Sequence, residues 1–134
     1  FRNRALAALY LDQAFLAGNG NYLRSEILWA AGVNPATKPA ALKHVVLESL
    51  AKETLKISRR SYRTRGVTVT PALAKSQKAK GLKYGEYRFF VFDREGLPCY
   101  RCGTAIERQV MGSRNVFLCR TCQPRSDYPV RCSK

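Results

Sequence analysis

Apolar positions in the first half of the chain recur at the three- and four-residue spacing of amphipathic helices. Residues 4–16 carry this pattern, and it resumes over 22–32 after a "GNGN" turn, whose Gly and Asn tolerate positive φ. Gly32 is expected to end that second helix, and a third helix is predicted over residues 40–57. The inward positions of the second helix are predicted to be Leu23, Ile27 and Leu28. Those of the third are predicted to be Leu42, Val45, Val46, Leu50 and Leu55.

The pattern changes in the second half of the chain. Residues 63–85 are polar, Lys-rich and short of apolar periodicity, which predicts a long mobile loop. The stretch "EYRFFVFDREG", from Glu86, is aromatic and β-branched and predicts a strand. The stretch "AIERQVMGSRNVFLC" predicts a hairpin with "GSRN" as its turn, and residues 124–134 predict a flexible tail.

Four of the five cysteines form two C-x-x-C pairs that are sixteen residues apart: Cys99, Cys102, Cys119 and Cys122. Zinc favours four thiolates in a tetrahedron, and one pair on each arm of a hairpin supplies them. Because four protein thiolates close the coordination shell, we predict one structural Zn²⁺ rather than a catalytic ion. Two disulfides or a redox pair are the alternatives. Cys132 and His44 are expected to be a surface thiol and a helix histidine outside the site.

The chain carries 24 Lys and Arg against 9 Asp and Glu, a net charge of +15. A charge of this size repels itself unless a polyanion neutralises it, which favours nucleic acid as the partner over a merely solvated basic surface. No apolar run reaches membrane-spanning length, and no secretory signal opens the chain, so we expect no membrane partner and a location inside the cell. The sequence starts at Phe1, inside a helical pattern and without Met, which suggests a piece of a longer protein.

Two places have the chemistry of an anion site. The "GNGNYL" turn presents backbone N–H groups and the positive end of the following helix, where Asn21 either caps the helix or binds a phosphate. Arg114 lies at the tip of the predicted hairpin, which a metal would stiffen. A guanidinium held in that way grips phosphate bidentately, although a solvated surface charge is the alternative.

Both constellations resemble one known family. "FLAGNGNYLRSEILW" resembles the helix–two-turns–helix segment of the formamidopyrimidine-DNA glycosylase and endonuclease VIII family, and "CYRCGTAIERQVMGSRNVFLCRTCQ" resembles its C-terminal zinc finger. The residues after the turn and "SYRTRG" look closer to the endonuclease VIII branch. The resemblance spans residues 1–123 and implies a mainly α fold with a small β zinc hairpin. The implied parts are a helix–two-turns–helix domain (1–66), a mobile basic loop (67–85), a β-hairpin zinc finger (86–123) and a tail (124–134).

The resemblance implies a base-excision-repair enzyme that is both a DNA glycosylase for oxidised pyrimidines and an abasic-site lyase working by β,δ-elimination. In the family an N-terminal proline amine, followed by a glutamate, forms the Schiff base. This chain has no such opening, so on its own it is expected to be inactive. The implied partner is double-stranded DNA that contains oxidised bases or abasic sites. The enzyme is expected to act as a monomer at the nucleoid in a bacterial cytoplasm.

Residue by residue, the resemblance implies that Asn21, Gly20, Arg65 and Arg114 bind DNA. It also implies that Arg114 assists δ-elimination and that the four paired cysteines bind the zinc. The alternative is a stand-alone zinc-ribbon protein that binds nucleic acid without catalysis. A third reading is an RNA-binding zinc module.

Overall fold

The computed structural model describes residues 21–38, 42–111 and 114–124. Within these residues, four helices precede one antiparallel hairpin, so the fold is mainly helical with a small two-stranded sheet, as the sequence predicts. The helices are α1 (Asn21–Ala31), α2 (His44–Thr64), α3 (Pro71–Ala79) and α4 (Tyr84–Tyr87). The strands are β1 (Glu107–Met111) and β2 (Arg114–Leu118).

Helix α1 lies at the centre of the core and packs against both α2 and β2. Its three predicted inward side chains are buried, namely Leu23, Ile27 and Leu28. The helix ends at Gly32, whose φ of 73° is cheap only for glycine. The N–H groups of Gly32 and Val33 then donate to the carbonyls of Trp29 and Leu28, so the last turn keeps its hydrogen bonds.

Helix α2 is longer than predicted, and the prediction that Val46 and Leu50 point inward is confirmed. Val45 and Leu55, both predicted to point inward, are 67% and 56% exposed. Their places on the buried face are taken by two hydroxyl side chains whose polar atoms have partners. Thr54 donates to the carbonyl of Leu50 at 2.7 Å, and Ser61 shares a hydrogen bond of 2.9 Å with the Tyr22 hydroxyl. The full buried stripe is Val46, Leu50, Thr54, Ile57 and Ser61.

The segment predicted to be a loop over 67–85 contains a regular helix, so that prediction is wrong for α3. Thr70 caps the helix by accepting the N–H of Leu73 at 3.2 Å, and Pro71 begins its first turn. The helix buries none of its residues fully, which explains why it lacks an apolar stripe. The mobility of the segment stays a prediction.

The strand predicted from Glu86 does not form. Residues 84–87 are the short helix α4, and the N–H groups of Phe90, Val91 and Phe92 all donate to the carboxylate of Glu26 instead of to a neighbouring strand. A side chain of α1 therefore supplies the acceptors that a β partner would have supplied.

The hairpin is confirmed, with Met111 opposite Arg114 and Glu107 opposite Leu118. Arg114 and Asn115 belong to β2 rather than to the turn, so the predicted four-residue turn is shorter. Several predictions lie outside the described residues: the helix over 4–16, the "GNGN" turn up to Gly20, and the tail with Cys132. Within the part of the chain that the structure describes, no helix is long and apolar enough to cross a membrane.

Candidate metal centre and nucleic-acid interface

The hairpin brings the four paired cysteines together. We call the segment with Cys99 and Cys102 the first knuckle and the segment with Cys119 and Cys122 the second knuckle. A β-bridge between Pro98 and Ala105 closes the first knuckle. Gly103 has a φ of 80°, and its N–H donates to the carbonyl of Cys99 at 2.9 Å. The second knuckle follows β2, where the N–H of Gln123 donates to the carbonyl of Cys119 at 2.8 Å. The sulfur atoms of Cys99, Cys102, Cys119 and Cys122 lie within 4.8 Å of one another.

This sulfur cluster fits a tetrahedral metal ion. Bonds of about 2.3 Å from metal to sulfur place the sulfurs about 3.8 Å apart. The Cys99–Cys122 distance is 3.8 Å and the Cys102–Cys119 distance is 3.4 Å. The donor set and the spacing define a metal site, as the sequence predicts. His44 lies elsewhere, exposed at the start of α2 and 3.6 Å from Glu48.

The thiols differ in how readily they ionise. Burial raises the pKa of the Cys119 thiol to about 12. Burial acts in the same direction on Cys102, but hydrogen bonds with Thr104 outweigh it and bring the pKa of Cys102 down to about 7. Because a metal binds the thiolate, the protons must leave on binding, and metal affinity falls as the pH falls.

Gln123, directly after the last cysteine, fastens the second knuckle to the end of α1. Its side-chain oxygen accepts the N–H of Cys119 at 2.9 Å, and its amide nitrogen donates to the carbonyl of Val33 at 2.9 Å. The side chain of Asn34 donates to the backbone carbonyl of Gln123 at 2.8 Å. All three hydrogen bonds are buried, so water does not compete for their donors and acceptors.

At the other end of α1, strand β2 contacts the start of the helix. The Ser25 hydroxyl accepts the N–H of Phe117 at 3.0 Å, and Arg24 donates to the carbonyl of Asn115 at 3.3 Å. These bonds place Arg114, the exposed first residue of β2, beside the first turn of α1. Asn21 begins that turn. The description does not extend to the Asn21 side chain.

Two cations share this end of the molecule. The pKa of Arg24 is held below its ordinary value by burial and, secondarily, by the charge of Arg114. Like charges this close to one another favour an anion between or beside them. The structure therefore unites Arg114 with the start of α1, which the sequence places 93 residues earlier at Asn21.

Arg65 lies next to Gly66, which is linked to Tyr22 of α1 through Arg88. It ends α2 in the left-handed conformation, with φ 59°, and its side chain is exposed. The next carbonyl, that of Gly66, accepts a hydrogen bond from Arg88 at 3.0 Å, and the Arg88 guanidinium lies 5.4 Å from the ring centroid of Tyr22. Tyr22 follows Asn21 directly. Gly20 lies outside the described residues.

Glu26 is a residue whose importance the sequence reasoning missed. Its carboxylate is buried, and it accepts the Thr68 hydroxyl in addition to the three backbone N–H groups of residues 90–92. Burial raises the pKa of Glu26 above its ordinary value, and the hydrogen bonds oppose this shift. The available signal was an acid on the apolar side of α1, between Leu23 and Ile27.

Two family profiles, together with the sulfur cluster, define a class: a helix–two-turns–helix domain followed by a four-cysteine metal finger. The profile of the formamidopyrimidine-DNA glycosylase H2TH domain matches residues 2–72, and that of the zinc finger found in FPG and IleRS matches residues 96–125. Since the first profile covers more than half of the chain, the chain belongs to the formamidopyrimidine-DNA glycosylase H2TH family. The resemblance inferred from the sequence is confirmed.

Curated relatives point to one branch of this family. Endonuclease 8 of Enterobacter sp. (strain 638) is 46% identical over 123 residues, which are 92% of this chain and 43% of that protein. Endonuclease 8 of Klebsiella pneumoniae is 47% identical over the same shares. The chain thus spans less than half the length of the relatives it matches.

Solved structures share the fold. The MutM (Fpg) protein of Thermus thermophilus matches with a TM-score of 0.73 and 31% identity, over 90% of this chain and 45% of that one. Lactococcus lactis Fpg in complex with DNA containing an abasic site matches with a TM-score of 0.71 over 91% of this chain and 43% of that one. At 23% identity this second match shows the fold alone.

Proposed function

We propose that the chain is the DNA-holding part of a base-excision-repair DNA glycosylase and abasic-site lyase that acts on oxidised pyrimidines. The observation that carries the proposal is the contact between strand β2 and the start of α1. It brings Arg114 beside the helix that Asn21 begins. Two anchors on one rigid frame can hold neighbouring phosphates and bend the strand, which lowers the cost of extruding a damaged base.

Charge and relatives support DNA as the partner. The net charge of +15 favours a polyanion. Two relatives that match 92% of this chain are named Endonuclease 8, and L. lactis Fpg has been solved with DNA containing an abasic site. We infer double-stranded DNA with oxidised bases or abasic sites as the substrate, bound by a monomer in the bacterial cytoplasm.

We infer that the metal is one Zn²⁺ with a structural role. Zinc bound by four thiolates has no open position, so it supplies folding energy rather than an activated water. The residues around it keep Arg114 at a fixed distance from α1 through β2. Within this proposal Gly20 and Arg65 contribute further DNA contacts near Asn21.

The chemistry is proposed for a protein of the full length of the relatives. In the family a proline amine attacks the sugar and forms a Schiff base, and β- and δ-elimination follow. No residue of this chain is assigned the nucleophile. Arg114 is proposed to assist δ-elimination from its place on the phosphates. A division of the chain at residues 66, 85 and 123 is also proposed, with helix α3 inside the part between 67 and 85.

The test is the salt dependence of DNA binding. Arg114→Ala should weaken binding to a duplex with an abasic-site analogue and reduce the slope of log K against log salt by about 0.9, one phosphate contact. The matched control is Arg108→Ala on β1, because Arg108 pairs with Glu95 at 3.1 Å and has a comparable charge and exposure. An unchanged slope for Arg114→Ala would refute the phosphate contact, and tighter binding of RNA than of duplex DNA would refute the repair assignment.

A further inference from the structure

Trp29, the one tryptophan of the chain, contacts a metal ligand directly. Its indole N–H donates to the sulfur of Cys99 at 3.4 Å, and its ring stacks on Phe90 with centroids 4.5 Å apart. The side chain is buried. A donor on a ligating sulfur fixes the orientation of that ligand and stabilises the negative charge that the sulfur carries in a metal complex.

Arg101, between Cys99 and Cys102, connects the first knuckle to the end of α1. Its guanidinium lies 4.0 Å from the centroid of the Trp29 ring, and it donates to the carbonyls of Trp29 at 3.1 Å and Ala30 at 3.0 Å. Each carbonyl oxygen has two lone pairs, so the Trp29 carbonyl accepts Arg101 in addition to the N–H of Gly32. A cation at this end of a helix also complements the helix dipole. Arg101 therefore stabilises the last turn of α1 from inside the metal loop.

Trp29, Arg101 and Cys99 each contact the other two. The indole of Trp29 donates to the sulfur of Cys99, and the guanidinium of Arg101 covers the face of that indole. The backbone N–H of Arg101 also donates to the sulfur of Cys99, at 3.4 Å. A divalent metal with four thiolates carries a net charge of −2, so N–H donors and a nearby guanidinium stabilise it beyond the four bonds themselves. Helix α1 supplies the Trp29 N–H that binds the sulfur of Cys99, and its carbonyls accept the guanidinium of Arg101. The same contacts therefore stabilise both the metal site and the end of α1.

We propose that Trp29 and Arg101 are positioning residues that couple the metal site to α1. Metal affinity then depends on the Trp29 N–H, and the order of the last turn of α1 depends on the metal. By thermodynamic reciprocity, a bound metal stabilises the ordered last turn of α1 by the same free energy by which that order strengthens metal binding. The proposal rests on the metal assignment made above, and it extends the role of the metal from the hairpin to the helix that begins at Asn21.

The sharpest test removes the donor and keeps the shape. Because the chain has a single tryptophan, growth of an auxotroph on β-(3-benzothienyl)alanine exchanges N–H for S at Trp29 alone. We expect Zn²⁺ affinity, measured by competition with a chelator, to fall about 10- to 100-fold. The sulfur-to-metal charge-transfer bands of the Co²⁺-loaded chain should shift as well. Affinity within twofold of the unsubstituted chain, with an unchanged Co²⁺ spectrum, would overturn the coupling.

A second variant tests the link to the helix. In the unsubstituted chain, removal of Zn²⁺ should speed amide hydrogen exchange in the last turn of α1. In Arg101→Met that exchange should be fast whether or not zinc is bound. Arg120→Met is the control, because Arg120 lies in the second knuckle and pairs with Glu107 rather than with α1. Equal exchange in Arg101→Met and Arg120→Met would overturn the coupling alone, whereas an unsubstituted chain that binds no metal would overturn the zinc assignment with it.

Discussion

The carboxylate of Glu26 accepts the backbone N–H of Val91 at 2.8 Å, although 65 residues separate the two positions. The same carboxylate also holds Phe90 and Phe92. Helix α1 therefore fixes the segment that leads into the metal finger. Glu26 lies between the residues of α1 that contact β2, the strand of Arg114, and Trp29, which contacts the first knuckle. One helix thus determines the placement of every part of the candidate site.

Glu26→Gln should destabilise the chain by about 2–4 kcal/mol. Oε1 accepts Thr68 and Phe90, and Oε2 accepts Val91 and Phe92. A glutamine has one acceptor oxygen, so its NH₂ opposes the two N–H donors at the Oε2 position or, at the Oε1 position, the N–H of Phe90, since the Thr68 hydroxyl can accept while donating to the carbonyl of Arg88. Urea denaturation measures the loss. Glu48→Gln, with a side chain that is 66% exposed, is the control and should change stability by less than about 0.5 kcal/mol. Equal stability of the two variants would contradict the role of Glu26.

The stability gap between the wild type and Glu26→Gln should narrow as the pH rises. The folded-state pKa of Glu26 is raised above 4.5 by burial, so the folded state binds the proton more tightly. The stabilisation that comes from protonated Glu26 is fully present below the pKa of Glu26 in the unfolded state. It is lost as the pH rises through the pKa of Glu26 in the folded state. The protonated form can donate to the Thr68 hydroxyl, which in turn donates to the carbonyl of Arg88 at 3.0 Å.

Unfolding free energies of both proteins, measured from pH 4 upward, test this sign. The thiol titrations are common to the two proteins and cancel in the difference. A gap that widens with pH would mean that the four hydrogen bonds outweigh burial and lower the pKa of Glu26.

Gly66→Ala should destabilise the chain more than Gly81→Ala. Both glycines have positive φ, 97° and 90°, so both substitutions carry the backbone strain of about 1 kcal/mol. A methyl group at Gly66 would also lie 2.5 Å from Nη2 of Arg88 and 3.0 Å from the Tyr84 hydroxyl, whereas at Gly81 it meets nothing within 4 Å. The Arg88 guanidinium cannot move away cheaply, because it lies 4.7 Å from the Tyr84 ring and 4.2 Å from the Phe89 ring.

Thermal unfolding of the two glycine variants in parallel gives the cost of the close approach as their difference. We expect about 1–2 kcal/mol, of the order found for forcing atoms into a packed site. Identical midpoints would show that Arg88 yields freely.

Local signals in the sequence were enough for α1, for the hairpin and for the four cysteines. Helical spacing around Leu23 and Ile27, and the two C-x-x-C pairs, each depend on neighbours within a few residues. The strand expected from Glu86 failed for the opposite reason: the acceptors for residues 90–92 come from Glu26, far away in the chain. No period-2 pattern can reveal that a side chain has replaced a strand.

Helix α3 was missed in spite of a local signal. Thr70 followed by Pro71 is a helix start in which the hydroxyl caps and the proline occupies the first turn. The lysines that follow obscured this signal, because the helix has no buried side chain and so shows no apolar stripe. Its contact with the metal finger is polar: the side-chain amide of Gln77 donates to the Tyr100 hydroxyl at 3.1 Å. The meeting of Arg114 with the start of α1 depends on tertiary packing, and only the family resemblance anticipated it.

Cys119→Ser should abolish stoichiometric metal binding and unfold the hairpin. Cys119 is buried within the cluster, 3.4 Å from the sulfur of Cys102, and a serine hydroxyl is a poor ligand for zinc. Mass spectrometry under native conditions measures the bound metal, and proteolysis within residues 107–118 reports the unfolding. Cys132→Ser, outside the C-x-x-C pairs, is the control and should keep one metal ion. Retention of the metal by Cys119→Ser would remove that residue from the ligand set.

Asn21→Ala separates the two roles that the sequence leaves open for this residue. If Asn21 holds a phosphate, duplex binding weakens and the salt slope changes little, because the amide is neutral and releases no counterion. If it only caps α1, the free energy of unfolding falls by about 1 kcal/mol and affinity holds. Asn21→Asp decides between them, since an aspartate caps as well as asparagine does but repels a phosphate. Loss of binding in both variants, with the stability of Asn21→Asp preserved, is the expected outcome. Preserved affinity in Asn21→Asp would exclude the phosphate contact and leave Arg114 as the anchor at this end of α1.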